Sequence, residues 1–184
     1  ATADGLEDLE TRVVANVERL LDFGARRIVV ANVPDLASLP SVASRARAST
    51  DPAALLARAT AISDDFDRDV RAFLARAAND PRWSSPTAPV LVPFDLRAAL
   101  QSVQQTTAAG GGNARDACFD SDAYLQSSSA QRLFHAGCAP SGVGEEPGFS
   151  RFVFWDGIHP TGAAHAAIGT ALIAVVEAAA MTGS

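Results

Sequence analysis

The sequence predicts an α/β fold with three layers, helix, sheet and helix, built around a parallel sheet. A continuous apolar run at 28–33 is typical of a strand buried on both faces. A second run of strand length follows at 90–95. Segments with helical spacing of apolar residues alternate with these runs, as in an α/β sandwich. The 184 residues suffice for one domain with its own core.

The first helix is predicted at 4–23, where leucine and valine recur at helical spacing. Asp4 and Glu7 are spaced as in a capping box, and Gly24 can end the helix in a left-handed turn. The strand at 28–33 comes directly afterwards, which gives one half of an α/β unit.

The second helix is predicted from Asp51 and Pro52, an N-cap and a first-turn proline, to about residue 78. Its acidic cluster at 64–69 is interleaved with arginine, which favours a solvated face over a metal site. In the run at 90–95, Pro93 lacks an N–H and therefore indicates an edge strand or a strand end. A helix at 96–103 completes this unit.

The segment 104–150 shows no clear periodicity, and its glycines at 110–112 predict a flexible loop. Cys118 and Cys138 are the only cysteines, and no zinc-type ligand spacing surrounds them. We predict a disulfide that closes this loop and contributes about 3 kcal/mol. Such a bond implies an oxidising compartment, hence a secreted or periplasmic protein. Two buried free thiols are the alternative.

The composition narrows the range of partners. A net charge of −6 argues against a nucleic-acid partner. We find no apolar run near the length of a membrane span, so the expectation is a soluble chain without a transmembrane segment. Neither a metal nor a cofactor is expected.

The residues most suggestive of chemistry are Asp156 and His159, between an apolar run at 152–154 and an alanine-rich helix at about 161–180. Pro160 disfavours helix at His159, and Thr161 is a suitable N-cap. The pair therefore lies on the turn that enters the helix. An aspartate that orients an imidazole is two-thirds of a nucleophile–His–acid triad. From spacing alone, a capping carboxylate beside an exposed histidine is the simpler account.

The residues around this pair favour the catalytic interpretation over the capping interpretation. The stretch Trp-Asp-Gly-Ile-His-Pro-Thr-Gly-Ala-Ala-His at 155–165 resembles the last signature block of the GDSL-type (SGNH) esterases and lipases. Residues 24–40 are similar to a middle strand and Pro-rich loop of the same family. The resemblance implies that 1–184 is the C-terminal part of a single flavodoxin-like SGNH hydrolase domain. It also implies that Asp156 and His159 complete the triad.

Substrate contacts are expected from two places. Ligands of open α/β sheets gather at the C-terminal ends of strands, and the family's Pro-rich loop lies near the active site. The loop residues Pro34, Asp35 and Leu36 are therefore candidate substrate-binding residues. Trp155 and Ile158, which neighbour Asp156 and His159 in the sequence, are further candidate substrate-binding residues.

The sequence contains no recognisable motif for the serine nucleophile of the triad. Neither Gly-Asp-Ser-Leu nor Gly-x-Ser-x-Gly occurs, and Ser141 and Ser150 lack the strand-to-helix context. The resemblance places the serine and the oxyanion-hole residues in blocks that precede residue 1. Two strands with three or four helices would also leave one edge of strand 28–33 open. We therefore expect an N-terminal partner chain, or a segment of the same enzyme, that carries the serine.

Three functions are compatible with these residues. The first is a serine-dependent esterase or lipase acting on an ester or lipid substrate. The second is an acyltransferase that uses the same triad, with the disulfide-closed loop as a lid. The third is a non-catalytic binding module that retains the fold without a nucleophile.

Overall fold

The computed structural model describes residues 3–83, 88–121, 133–139 and 148–181. Helices alternate with strands that pair in parallel, which confirms the predicted α/β class. Short 3₁₀ helices occur at Leu36–Ser38 and Phe149–Arg151. The regular elements, in order, are α1 (Ala3–Asp22), β1 (Arg27–Ala31), α2 (Pro40–Arg47), α3 (Pro52–Ala77), β2 (Val90–Phe94), α4 (Leu96–Ala109), β3 (Asn113–Ala117), β4 (Phe152–Phe154) and α5 (Gly162–Met181).

The strands form two parallel pairs. β1 pairs with β2 from Arg27 opposite Val90 to Ala31 opposite Phe94. β3 pairs with β4 in the same sense. Within the described ranges β1 has a neighbour on one side only, so its other edge is open there, as the sequence predicted. β2 is likewise an edge strand in this part of the chain, which accommodates Pro93.

One face of the β1–β2 pair carries the larger core. Ile28 and Val30 of β1 pack against α1 and α3, and Gly24 makes the left-handed turn that leads into β1, with a φ of 93°. On the opposite face Val29 is exposed. The prediction that both faces are buried is therefore wrong for the described residues. The buried members of this core are Val17, Leu21, Val30, Phe66, Val70, Phe73, Leu74, Ala77 and Trp83.

The prediction of a patternless segment from residue 104 is wrong in its first part. Helix α4 continues to Ala109, and a tight turn with Gly111 at a φ of 75° leads into β3. At Gly112 a Cβ atom would lie 2.7 Å from the carbonyl oxygen of Arg151, so only glycine fits. The strand β3 (Asn-Ala-Arg-Asp-Ala) has weak β propensity, and its pairing with β4 stabilises it instead. Tyr124 and Ser141 lie outside the described residues.

Helix α5 differs from the other helices in composition. Its stretch Gly162–Ala180 is long and apolar enough to cross a membrane by length and composition, and almost none of it is buried. The expectation that no run approaches this length is wrong, because the many alanines of α5 together give it an apolar average over that length. Length and composition alone do not assign a membrane span. The finding does show that α5 presents an apolar surface, including Ile173 and Val176.

Candidate active site

The candidate site is the turn between β4 and α5, and backbone pairing closes this turn. Phe154 forms an antiparallel bridge with Pro160. The N–H of Trp155 donates to the carbonyl oxygen of His159 over 2.8 Å. Because this pairing holds both ends of the segment 155–159 together, the turn has a defined shape.

Thr161 fixes the C-terminal side of the turn. Its hydroxyl donates to the carbonyl oxygen of Phe152 over 2.8 Å and accepts from the N–H of Ala164 at 3.3 Å. Thr161 is buried, and it caps α5 as the sequence predicted. Helix α5 therefore begins only after Pro160, so the residues before it remain free to form the turn.

Within the turn, the Asp156 carboxylate contacts three nitrogen atoms, two of which belong to His159. Its Oδ1 accepts from the backbone N–H groups of Ile158 at 2.8 Å and His159 at 2.7 Å. Its Oδ2 lies 2.9 Å from Nδ1 of the His159 ring. A carboxylate at this position selects the tautomer with the proton on Nδ1, which leaves a lone pair on Nε2. The side chain of His159 is 68% exposed and that of Asp156 15%. The imidazole can therefore meet a second reactant, while its carboxylate partner is largely covered.

The same contacts set the charge state of Asp156. Burial disfavours the ionised form, but the backbone and side-chain hydrogen bonds from His159, together with the Ile158 N–H, outweigh it and lower the pKa of Asp156. The carboxyl group is thus ionised over the whole neutral range. An ionised acid beside an imidazole is the arrangement that stabilises an imidazolium during proton transfer.

We expect Asp156→Asn to destabilise the fold by about 1–2 kcal/mol at neutral pH, because the charged acceptor of three hydrogen bonds is lost. The folded pKa of Asp156 lies below its ordinary value of 3.8. Its contribution is therefore fully present above that value and is lost as the pH falls through the lowered pKa. Urea unfolding of both proteins between pH 7 and pH 2 measures the difference.

A His159→Gln background provides the control, because it removes the imidazole from the comparison. The effect of Asp156→Asn in that background should still vanish in acid. A difference in stability that persists below the lowered pKa would contradict the assigned hydrogen bonds.

The structure places the predicted substrate-binding loop beside the turn. Leu36 and Leu39 pack in one cluster with Phe154 of β4. Just beyond the loop, the N–H of Ser41 donates to the carbonyl oxygen of Gly157 over 2.9 Å. A Cβ atom on Gly157 would lie 3.0 Å from that of Ser41, so a larger residue there would press the turn and α2 apart by a few tenths of an ångström. The contact between α2 and the turn was missed, because helix α2 itself was not predicted.

The other residues predicted to bind the substrate differ in their exposure to solvent. Ile158 is exposed beside His159. Pro34 and Trp155 are half-buried. The carboxylate of Asp35 accepts hydrogen bonds from the Ala37 N–H and the Thr60 hydroxyl, so it faces the protein. Their roles toward a substrate stay predictions.

Aromatic rings connect Trp155 to the disulfide-closed segment. The Trp155 ring stacks on Phe119 with centroids 5.0 Å apart and meets the edge of Phe149 at the same distance. Cys118 and Cys138 are joined by a disulfide, as predicted, and both are fully buried. This bond is compatible with an extracellular or periplasmic location.

A cleft of about 260 Å³ borders the turn on the side of α2. Gly157 lines it together with Ser41, Ser44 and Arg47, and the end of β3 with the residues that follow it forms the other wall. None of the predicted substrate-binding residues lines this cleft. It nevertheless lies against Gly157, between Asp156 and His159 in the chain.

The remaining histidines have other partners than Asp156, although His135 lines the cleft beside Gly157. His165 is exposed on α5, one turn beyond Thr161, with Nδ1 at 3.3 Å from the Thr161 carbonyl oxygen. His135 lies near the disulfide, with Nε2 at 3.8 Å from Asp116. Within the described ranges, no group of three or more His, Cys, Asp or Glu side chains is placed to hold a metal ion.

Parallel strands alternate with helices, and an acid–imidazole pair lies on the turn after β4, so the chain is an α/β protein with a candidate acid–base site. The model of the GDSL-like lipase/acylhydrolase family matches residues 1–172. The chain therefore belongs to this family, and membership supports an esterase- or lipase-type hydrolase. A search of the curated proteins found no match.

Proposed function

We propose that this chain supplies the acid and the base of a serine-dependent carboxylic ester hydrolase. The observation that carries the proposal is the hydrogen bond of 2.9 Å between Asp156 and Nδ1 of His159, in a turn that leaves the imidazole exposed. Family membership supports the reaction class. The other interpretation of this pair, a helix cap beside a surface histidine, does not require the carboxylate to bond the ring nitrogen.

In the proposed reaction, Nε2 of His159 takes the proton from a serine hydroxyl as that oxygen attacks the ester carbonyl carbon. The imidazolium then protonates the leaving alcohol, and an acyl-serine remains. A water molecule, deprotonated by the same imidazole, releases the carboxylic acid and restores the serine. Asp156 holds the tautomer throughout and stabilises the imidazolium.

We propose that the serine belongs to a segment of the same enzyme, or to a partner chain, outside these 184 residues. In the ranges that the structure describes, no serine hydroxyl is hydrogen-bonded to His159. Two surfaces support a missing neighbour: the open edge of β1 with the exposed Val29, and the exposed apolar side of α5 at Ile173 and Val176. A parallel strand and its helix would cover such surfaces, which otherwise favour aggregation.

The disulfide supports a further part of the proposal, that the enzyme is secreted or periplasmic. A pair of cysteines that is fully buried and oxidised persists in compartments without a thiol-reducing system.

The test is intact-mass analysis of the natively purified protein before and after treatment with a fluorophosphonate. We expect a co-purifying serine-bearing segment or chain to gain the phosphonyl adduct. An adduct on a serine of these 184 residues would place the nucleophile within them and contradict the missing-neighbour proposal. The absence of any adduct, with no ester hydrolysis, would contradict the hydrolase proposal and favour a non-catalytic binding module.

A further inference from the structure

A polar network lies at the C-terminal ends of β1 and β2. It is separate from the segment 155–159 that carries Asp156 and His159, which we call the acid–base turn. Its centre is Asn32, which is 7% exposed. The Asn32 amide donates to Asp67 of α3 at 2.9 Å and to Asp95 at 3.0 Å. Its carbonyl oxygen accepts from the backbone N–H of Arg97 at 3.2 Å. A single buried amide thus joins the end of β1 to α3 and to the first turn of α4.

The loop that follows β1 is attached to the same two helices. Oδ1 of Asp35 accepts from the hydroxyl of Thr60 at 2.9 Å, and Oδ2 lies 3.5 Å from the guanidinium of Arg97. The N–H of the next residue, Leu36, donates to the hydroxyl of Ser63 at 3.0 Å. Ser63 is fully buried, so this hydrogen bond is shielded from water. The loop therefore has a fixed position relative to α3 and α4.

The loop in turn touches the acid–base turn by two routes. Leu36 and Leu39 pack against Val153 and Phe154, which lead directly into the turn. Helix α2 starts where the loop ends, and its second residue bonds the carbonyl oxygen of Gly157. Close-packed contacts of this kind transmit small displacements. A shift of the loop would therefore shift the residues that flank His159.

We infer that Arg97 is a positioning residue of the proposed hydrolase. It holds Asp35 and the loop in place, and the loop in turn determines where His159 lies. Arg97 also pairs with Asp64 of α3, so its guanidinium ties the loop to two helices. Asp35 then serves this attachment and does not contact the substrate. The inference rests on the proposed function, because it concerns the rate of the same reaction.

Exposure separates this ion pair from others nearby. The side chains of Arg97 and Asp35 are 22% and 20% exposed. Arg71, which bridges Asp67 of α3 and Asp95 before α4, is 47% exposed and pairs with these two carboxylates instead of Asp35. Exposed pairs contribute little because solvent screens them. Arg71 is therefore a matched control, since it joins the same helices without holding the loop.

The experiment compares Arg97→Met, Arg97→Lys and Arg71→Met in the complete, active enzyme with a soluble aryl ester. We expect Arg97→Met to lower kcat about tenfold with KM changed less than about twofold, because small misplacements of a catalytic group cost rate. Arg97→Lys should recover part of the loss, and Arg71→Met should keep the wild-type kcat. The rate of fluorophosphonate labelling should fall in parallel with kcat, since it depends on the base and not on substrate contacts.

A wild-type enzyme that neither hydrolyses esters nor reacts with fluorophosphonate contradicts the proposed function itself. An active wild type in which Arg97→Met behaves like Arg71→Met overturns the positioning role. A rise in KM without loss of kcat would assign Asp35 and Arg97 to substrate binding instead. If Arg97→Met does not fold, Thr60→Val removes another attachment of Asp35 and must show the same loss of kcat.

Discussion

Replacing His159 with alanine should lower the turnover of the proposed hydrolase by about a thousandfold or more, because the proposed serine nucleophile would lose the base that accepts its proton. The fold should persist, since the His159 ring is mostly exposed and its backbone contacts remain. Steady-state hydrolysis of a soluble ester, together with circular dichroism and thermal unfolding, measures both effects.

His165→Ala is the matched control for this prediction. His165 is also an exposed histidine near the start of α5, but its ring lies near a backbone carbonyl oxygen and not near a carboxylate. Its replacement should leave turnover within about twofold of the wild type, as is usual for an isolated surface side chain. Equal activity in His159→Ala and the wild type would remove the acid–base role from this turn.

The parts of the fold that could be predicted are those that local sequence determines. Asp51 and Pro52 mark the start of α3, and the Asp51 carboxylate indeed accepts from the Ala54 N–H at 3.0 Å. Thr161 does the same for α5. The apolar run of β1 marked a strand through its short length and its β-branched residues, although only one of its faces is buried.

The parts that were missed depend on contacts between distant residues. Strand β3 has few β-branched residues and exists through its pairing with β4, which lies more than thirty residues further along the chain. Helix α2 is short, and its first turn is fixed by the contact with Gly157. The role of Arg97 was equally hidden, because its partners come from a loop and from another helix.

The candidate site, like the fold, could be predicted where its determinants are local and not where they depend on distant residues. The spacing of Asp156 and His159, with Pro160 after them, was enough to predict a shared turn, because all the determinants lie within a few residues. The position of the loop at 33–39 beside that turn was suggested by the rule that ligands gather at strand ends. How the loop is held there could not be predicted, since the attachment runs through the side chains of α3 and α4.

Loss of the disulfide should have the largest effect on stability. We expect the double substitution of Cys118 and Cys138 by alanine to lower the free energy of unfolding by about 3 kcal/mol, because the unfolded chain regains the freedom of the closed loop. Such a loss is a large part of the total stability of a typical domain. Urea unfolding of the variant, and of the wild type with and without a thiol reductant, measures it.

The reductant provides the internal control, since it should destabilise the wild type and leave the alanine variant unchanged. An unfolding midpoint of the wild type that does not respond to complete reduction would contradict the prediction.

The effect should reach the acid–base turn, because the disulfide holds the segment against which the turn packs. The N–H of Cys118 donates to the carbonyl oxygen of Phe154 at 3.0 Å, and that of Phe119 to the carbonyl oxygen of Trp155 at 2.8 Å. The Phe119 ring also stacks on Trp155. Reduction should therefore speed amide hydrogen exchange at Cys118 and Phe119 before the α1–α3 core opens. That core shares no residue with the buried cluster of Cys118, Cys138 and Phe152 around the disulfide. Uniform acceleration across both regions would show instead that the chain unfolds as one unit.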